Sequence, residues 1–277
     1  MVKAPLAVSE EFIEALYQKL GAARKYRGLS LPRDTVRDLV LQNLEVHPSP
    51  RDLEEVVRQK LHNLVAPYLG DPDYPAVQQE LETIIATGDE EELSQFCLRI
   101  LQSHASTRER LPILDDFYAR IFSITGLPST ILDLACGLNP FALPWMGLPR
   151  ETCYLAYDLH QPRVNLINAF LQGVHQSGAA VHGDILVAPP QEPADVAFFF
   201  KEAHRFEQRR KGCNREFFRA LPVKYMLVSL PTESLTGRYS KLDQDRRLIE
   251  SAVSGTNWEV SELLFDSEIV FCIRKDT

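Results

Sequence analysis

The chain is poor in cysteine: it has five, an odd number, scattered and without paired metal-site spacing. A disulfide framework and a structural zinc are excluded as organising principles, and no metal is expected. No apolar run approaches the roughly 20 residues that a membrane-spanning helix needs. The opening Met1-Val-Lys-Ala-Pro5 lacks the apolar core of a signal peptide. These absences predict a cytoplasmic protein with reduced thiols. Internal repeats and low-complexity linkers are also missing. At 277 residues, 45% hydrophobic and 25% charged, the chain can bury a large core and reads as two domains.

An excess of positive charge is likewise absent, the net charge being −8. That speaks against a nucleic-acid partner only on average, because binding uses a face and not a mean. Residues 1–60 carry ten Lys or Arg against nine acids, and residues 201–250 carry twelve against seven. Two basic clusters stand out there: Arg24, Lys25 and Arg27 with Arg33, and Arg205, Arg209, Arg210, Lys211, Arg215 and Arg219. Either alone reads equally well as a solvated helix face; two of them in an acidic chain favour phosphate.

Also lacking is the G-x-G-x-x-G of dinucleotide enzymes, although the segment that should carry it is present. Ile131 to Ala135 form the apolar run of a strand covered on both faces, and Cys136-Gly137-Leu-Asn-Pro140 follows as a tight turn. Gly137 suits a backbone passing close to a ligand, Asn139 suits a helix N-cap and Pro140 a first helical residue. One glycine in place of three argues against NAD. Cys136 reads as a small buried residue and not as a nucleophile. A second apolar strand ends at Asp158, about 20 residues on, where a ribose-binding carboxylate belongs; a third ends at Asp184.

Apolar positions recur at helical spacing over 9–21, 33–45, 50–69, 73–87, 89–103 and 111–122. From Thr130 the pattern becomes short apolar strands alternating with helical stretches: 130–135, 153–157, 179–183, 194–200, 224–229, 257–265 and 268–274. The last two are close enough for a hairpin. The expected fold is α/β: a Rossmann-like, doubly wound seven-stranded sheet with a C-terminal antiparallel hairpin, preceded by an all-helical N-terminal domain. The expected boundary separates a helical domain at 1–105 from the sheet domain at 106–277.

An apolar strand, an acid, small residues and a glycine are the general opening of S-adenosylmethionine (SAM) dependent methyltransferases. Two longer motifs narrow the resemblance: His104-Ala-Ser-Thr-Arg-Glu-Arg-Leu111, and Leu132-Asp-Leu-Ala-Cys-Gly-Leu-Asn-Pro140 with Pro144-Trp-Met146. With Ala156-Tyr-Asp158, Gly183-Asp184, Phe200-Lys201 and Ser229-Leu-Pro-Thr-Glu-Ser-Leu235, the chain resembles the aminoglycoside-resistance 16S rRNA (guanine-N7) methyltransferases of the Arm/Rmt type. The resemblance implies SAM as cofactor, methylation of a guanine N7 in the decoding A site of the assembled small subunit, and a monomer with 16S rRNA as partner. It would make 1–105 a ribosome-docking domain and 106–277 a methyltransferase domain. It implies that Arg110 pairs with the methionine carboxylate, with His104, Ala105 and Ser106 lining that end. Ala135 and Gly137 would admit the cofactor, Asp158 would accept from the ribose, and Asp184 with Ile185 would hold the adenine. Phe200 would pack near the methyl donor. Lys201, Glu207 and Glu268 would handle the target base, and Arg24, Lys25, Arg27, Arg205, Arg209, Arg210, Arg238 and Lys241 would meet RNA. Guanine N7 carries a free lone pair, so no general base is expected; His204, beside Arg205, reads as a phosphate or solvent contact.

The chain departs from the family pattern in two loops. After Phe200-Lys201 the family continues with apolar residues and Pro, where this chain has Glu202-Ala-His-Arg205, and Arg209 stands where the family has a cofactor-contacting Gln. Glu233 replaces a basic residue, and Tyr239-Ser-Lys-Leu242 replaces a glycine-rich stretch. A methyltransferase of another rRNA base or a small molecule, and a non-catalytic SAM-binding module, are the competing readings.

Overall fold

The computed structural model describes residues 9–23, 26, 28–47, 49–66, 72–232 and 238–275, the side chains of 238–241 apart. Arg24, Lys25, Arg27 and Glu233 lie outside the described residues, as do the side chains of Arg238 and Lys241. Five helices come first: α1 Glu10–Ala22, α2 Arg33–Asn43, α3 Pro50–Val65, α4 Tyr74–Thr87 and α5 Glu90–Ser103. Their starts follow capping chemistry. Ser9, Ser49, Asp73 and Asp89 each offer a side-chain oxygen to a free N–H of the first turn of α1, α3, α4 and α5, and Pro50 occupies the first turn of α3.

A short α6, Ala105–Arg108, a 3-10 turn at Leu111–Ile113 and α7, Leu114–Thr125, lead into the sheet. Its strands are β1 Thr130–Leu134, β2 Cys153–Asp158, β3 Gly178–His182, β4 Ala194–Phe200, β5 Val223–Pro231, β6 Glu259–Leu264 and β7 Glu268–Arg274. The strand order is β3-β2-β1-β4-β5-β7-β6, parallel from β3 to β5, with β7 antiparallel to both β5 and β6. This is the expected α/β sheet with its terminal hairpin. The order in which strands are added to the sheet switches sides between β1 and β4, where ligands of doubly wound sheets bind. The connecting helices are α8 Leu143–Met146, α9 Gln161–Gly173, α10 Ala203–Arg209, α11 Cys213–Ala220 and α12 Arg238–Val253. No helix among the described residues is long and apolar enough to cross a membrane.

Both faces of the sheet are covered, which is why its strands read as unbroken apolar runs. Ile131, Val196 and Phe198 face a cluster built with α4, α5, α7 and α9; Leu132, Ala197 and Phe199 face one built with α10, α11 and α12. A third cluster has its buried residues within 13–65, on α1 to α3 and the loop after α1, with Leu159 from beyond β2 packed against it. The buried residues of this cluster end at Val65, and those of the cluster on the sheet begin at Tyr74. Helices α4 and α5 belong to the sheet: a Cβ at Gly173 of α9 would come within 2.0 Å of Ile85 Cδ1 on α4, so this glycine permits the close packing of the two helices.

Asn139 is not a helix cap. It begins a 3-10 turn, Asn139–Ala142, without a side-chain cap, and its amide is fully buried among side chains. Asn139 Nδ2 donates to Asp133 Oδ2 at 3.0 Å, and Tyr154 OH donates to the same oxygen at 2.5 Å. Burial pushes the Asp133 carboxyl up to about 7, against the pull of those two donors. From its ordinary value of 3.8 up to about 7, the folded chain keeps a proton that the unfolded chain has lost, so stability falls as pH rises through this window. Asp133→Asn should flatten that slope, measured by urea unfolding at about pH 5 and about pH 7.5. An unchanged slope would count against a protonated Asp133.

Candidate active site

The site lies beyond the C-terminal ends of β1, β2 and β4. Ala135, just after β1, and Lys201, just after β4, have φ of 51° and 61°, conformations that side-chain-bearing residues adopt at a cost. Gly137 has φ 55°, and a Cβ there would meet Arg163 Nη1 only at 3.7 Å, so its requirement is backbone conformation more than space. Its N–H donates to Asp158 Oδ2 at 3.0 Å, linking the turn to the end of β2.

Two cavities, with empty volumes of about 460 and 470 Å³, meet above these strand ends. The first is lined by His104, Ser106, Thr107, Arg110, Cys136, Gly137, Asn139, Arg163 and Phe200. The second is lined by Leu64, Tyr157, Leu159, Gly183, Asp184, Ile185, Phe206 and Arg209. Ala135, Asp158, Glu202 and Arg205 line both. Ala105 lines neither.

Arg110 is the cation of the first cavity and is held from three sides. Its Nε and Nη2 donate to Glu268 Oε1 and Oε2 at 2.7 and 2.8 Å, its Nη1 donates to Asn139 Oδ1 at 2.8 Å, and Tyr118 OH donates to the same Asn139 oxygen at 2.7 Å. Its guanidinium lies 4.3 and 4.4 Å from the ring centres of Phe117 and Phe200. Burial works against the charge on both partners, yet Glu268 raises the Arg110 pKa and Arg110 holds the Glu268 carboxyl below its ordinary value. Glu268 is completely buried, so its place is behind Arg110, orienting the guanidinium, and not against a target base.

The acidic residues are engaged differently. Asp158 accepts from His160 N at 2.8 Å, Gly137 N at 3.0 Å and Arg163 Nη1 at 3.1 Å, three donors on about four lone-pair positions. One position remains for a ligand hydroxyl. Asp184 accepts from Leu186 N, Thr35 Oγ1 and both terminal nitrogens of Arg209, which saturates it. Its side chain fastens Arg209 in place of reaching for an adenine amino group. Ile185 lines the same cavity and is buried.

Arg209 also reaches Asp38 of α2 at 2.7 Å, and its side chain is 7% exposed. It is a buried link between α2 and the sheet, which corrects its expected role as a phosphate contact. Arg205 similarly spans both cavities, from Glu202 at 3.0 Å to the Leu64 carbonyl of α3 at 3.4 Å. Of this cluster Arg210 keeps a partly exposed side chain, 3.9 Å from Glu216, while Lys211, Arg215 and Arg219 are exposed, the last two donating to the Ser254 carbonyl at 2.8 Å. Arg33 is paired with Glu10 and Glu14.

Lys201 Nζ donates to the Ser106 carbonyl at 3.0 Å and to Glu109 Oε2 at 2.8 Å, bracing α6 against β4, while His104 Nδ1 lies 2.8 Å from Ser106 Oγ. Glu207 is turned away from both cavities: it accepts from Gly212 N at 2.7 Å and Asn214 Nδ2 at 3.0 Å, tying down the start of α11. His204 pairs with the buried Asp245 of α12 at 2.6 Å and keeps its side chain 36% exposed. Cys136 is buried and its thiol is pushed well up, as suits a packing residue. Sequence reasoning missed Arg163, Thr35 and Asp38. Arg163 follows Asp158 by five positions in an apolar helix and was detectable; nothing local marks the other two.

The chain matches the model of the "Ribosomal RNA methyltransferase (FmrO)" family over residues 22–271. It belongs to that family. A 16S rRNA (guanine(1405)-N(7))-methyltransferase of Micromonospora rosea is 31% identical over 97% of this chain and 99% of its own length. One of Proteus mirabilis is 28% identical over 98% and 100%. Among solved structures, the 16S rRNA methylase RmtB is similar with a TM-score of 0.75 at 28% identity, covering 95% of this chain and 98% of that one. The 16S rRNA methyltransferase RmtF in complex with S-adenosyl-L-homocysteine (SAH) gives 0.76 at 27%, covering 97% and 100%.

The donor set of this rRNA methyltransferase fits SAM. A buried guanidinium suits a carboxylate at one end, a carboxylate with a spare lone pair suits a ribose hydroxyl, and an apolar wall with Ile185 and Phe206 suits a base. Glu268→Gln should lower stability by about 3–5 kcal/mol, because Arg110 loses its buried countercharge, and should weaken SAM binding. Calorimetric titration with SAM and urea unfolding check this. Unchanged stability and SAM affinity with reduced turnover would restore Glu268 to base handling.

Proposed function

We propose that the chain transfers the methyl group of SAM to N7 of guanine 1405, in the decoding A site of 16S rRNA in the assembled small subunit, and so makes ribosomes refractory to aminoglycosides. It acts as a cytoplasmic monomer. The observation that carries this reading is the pair of joined cavities, cationic at Arg110 and acidic at Asp158, above the switch point of a sheet whose relatives carry that activity.

SAM supplies an electrophilic methyl group, and N7 attacks with a lone pair that needs no prior deprotonation. The chain's task is therefore orientation and exclusion of water. Arg110 holds the carboxylate end, Asp158 receives a ribose hydroxyl, and the stacked Phe198 and Phe200, 4.9 Å between ring centres, stiffen the wall beside Arg110. Lys201 holds α6, through the Ser106 carbonyl, at the carboxylate end. A flipped guanine enters from the Lys201–Glu202 side. Residues 10–65, with their own core, dock on rRNA through Arg24, Lys25 and Arg27, aided by Arg210, Arg238 and Lys241.

The reading is tested by incubating the protein with methyl-labelled SAM and either small subunits or naked 16S rRNA. Label on the subunit, with borohydride- and aniline-induced strand cleavage at guanine 1405, is the expected result. Label at another base would redirect the specificity, and none on unmodified subunits would favour a non-catalytic SAM-binding module.

A further inference from the structure

Glu202 is one of the residues by which this chain departs from its family's pattern, and the structure puts it where the two cavities join. SAM joins its methionine and adenosine halves at the sulfur. Taking Arg110 as the carboxylate end and the Asp184–Ile185 wall as the base end, the sulfur belongs beside the residues common to both cavities. Those are Ala135, Asp158, Glu202 and Arg205. Asp158 is already held by Arg163 and two backbone donors. Glu202 has Arg205 as its hydrogen-bond partner among the described residues, at 3.0 Å, and its side chain is 21% exposed.

SAM carries a sulfonium cation and SAH a neutral thioether, otherwise sharing every contact the cleft offers. A carboxylate at the junction stabilises the first and not the second. We propose that Glu202 is a specificity-determining residue of this chain, favouring the charged methyl donor over its neutral product, with Arg205 tempering that preference from the opposite side of the pair. The inference rests on SAM being the cofactor. Burial raises the Glu202 pKa while Arg205 lowers it, so a cation arriving at the junction reinforces ionisation. The chemical consequence is release of the spent cofactor: once the positive charge has left with the methyl group, the attraction to Glu202 is gone.

Equilibrium binding of SAM and of SAH to the full chain tests this by calorimetry, in wild type, Glu202→Gln and Arg205→Gln. Glu202→Gln should reduce the SAM-over-SAH preference about tenfold, with SAH affinity within about twofold of wild type. Arg205→Gln should preserve or increase the preference, since it removes a like charge. Equal weakening of both ligands by Glu202→Gln would mean a structural role and overturn the proposal, as would an unchanged ratio or a preference lost in Arg205→Gln. Failure of the wild type to bind either ligand would instead overturn the cofactor reading.

Discussion

The buried pair of Arg110 and Glu268 is the interaction on which the site depends. A guanidinium that is 3% exposed is tolerable only with a countercharge and hydrogen-bond partners, and Glu268 supplies the charge and takes two of its five N–H donors from a strand 158 positions away. Asn139 completes the arrangement from the turn after β1, taking Arg110 and Tyr118 on its oxygen and giving its nitrogen to Asp133. One network thus joins the connection before α7, the turn after β1 and strand β7. The last strand pair is therefore part of the cofactor site's foundation, in addition to being the sheet's edge.

A second theme is repetition of one device around the cleft. Three cleft carboxylates are each gripped by an arginine that also reaches a helix of the N-terminal layers. Arg163 joins Asp158 to the Tyr74 hydroxyl of α4, Arg205 joins Glu202 to the end of α3, and Arg209 joins Asp184 to Asp38 of α2. Each guanidinium presents several donors in a fixed fork, which suits it to hold two elements at once. The helical layers are consequently attached to the cofactor walls by directional contacts, beyond the apolar packing of α4 on α9. The basic cluster near α10, which on charge alone suggests phosphate binding, spends Arg205 and Arg209 on this internal task.

The sheet was legible in the sequence because each strand is a bounded apolar run between helical stretches, and the strand ends agree with expectation within two residues at every strand but not at all boundaries of the helices. The turn at Ala135–Pro140 was legible as part of a cleft lining, since Gly137 and the acids closing the next strands are local signals. The partners of those residues were not. Asn139 looks like a cap because Asn before Pro commonly is one; its burial beneath Arg110 depends on α7 and β7 arriving from elsewhere. Glu268 and Glu207 have the same chemistry in a sequence, yet one is sealed behind Arg110 and the other ties a helix start, a difference only tertiary packing creates. That α4 and α5 pack against the sheet and not with α1 to α3 was not legible either, since helical periodicity is the same in both groups.

The central claim is that the Glu268–Asn139 frame presents Arg110 as a carboxylate receptor for SAM. Its most direct test compares SAM with decarboxylated SAM by calorimetric titration of the intact protein. The account predicts that the decarboxylated compound binds at least about tenfold more weakly, having lost its charge-assisted hydrogen bonds. Equal affinity for the two would contradict it.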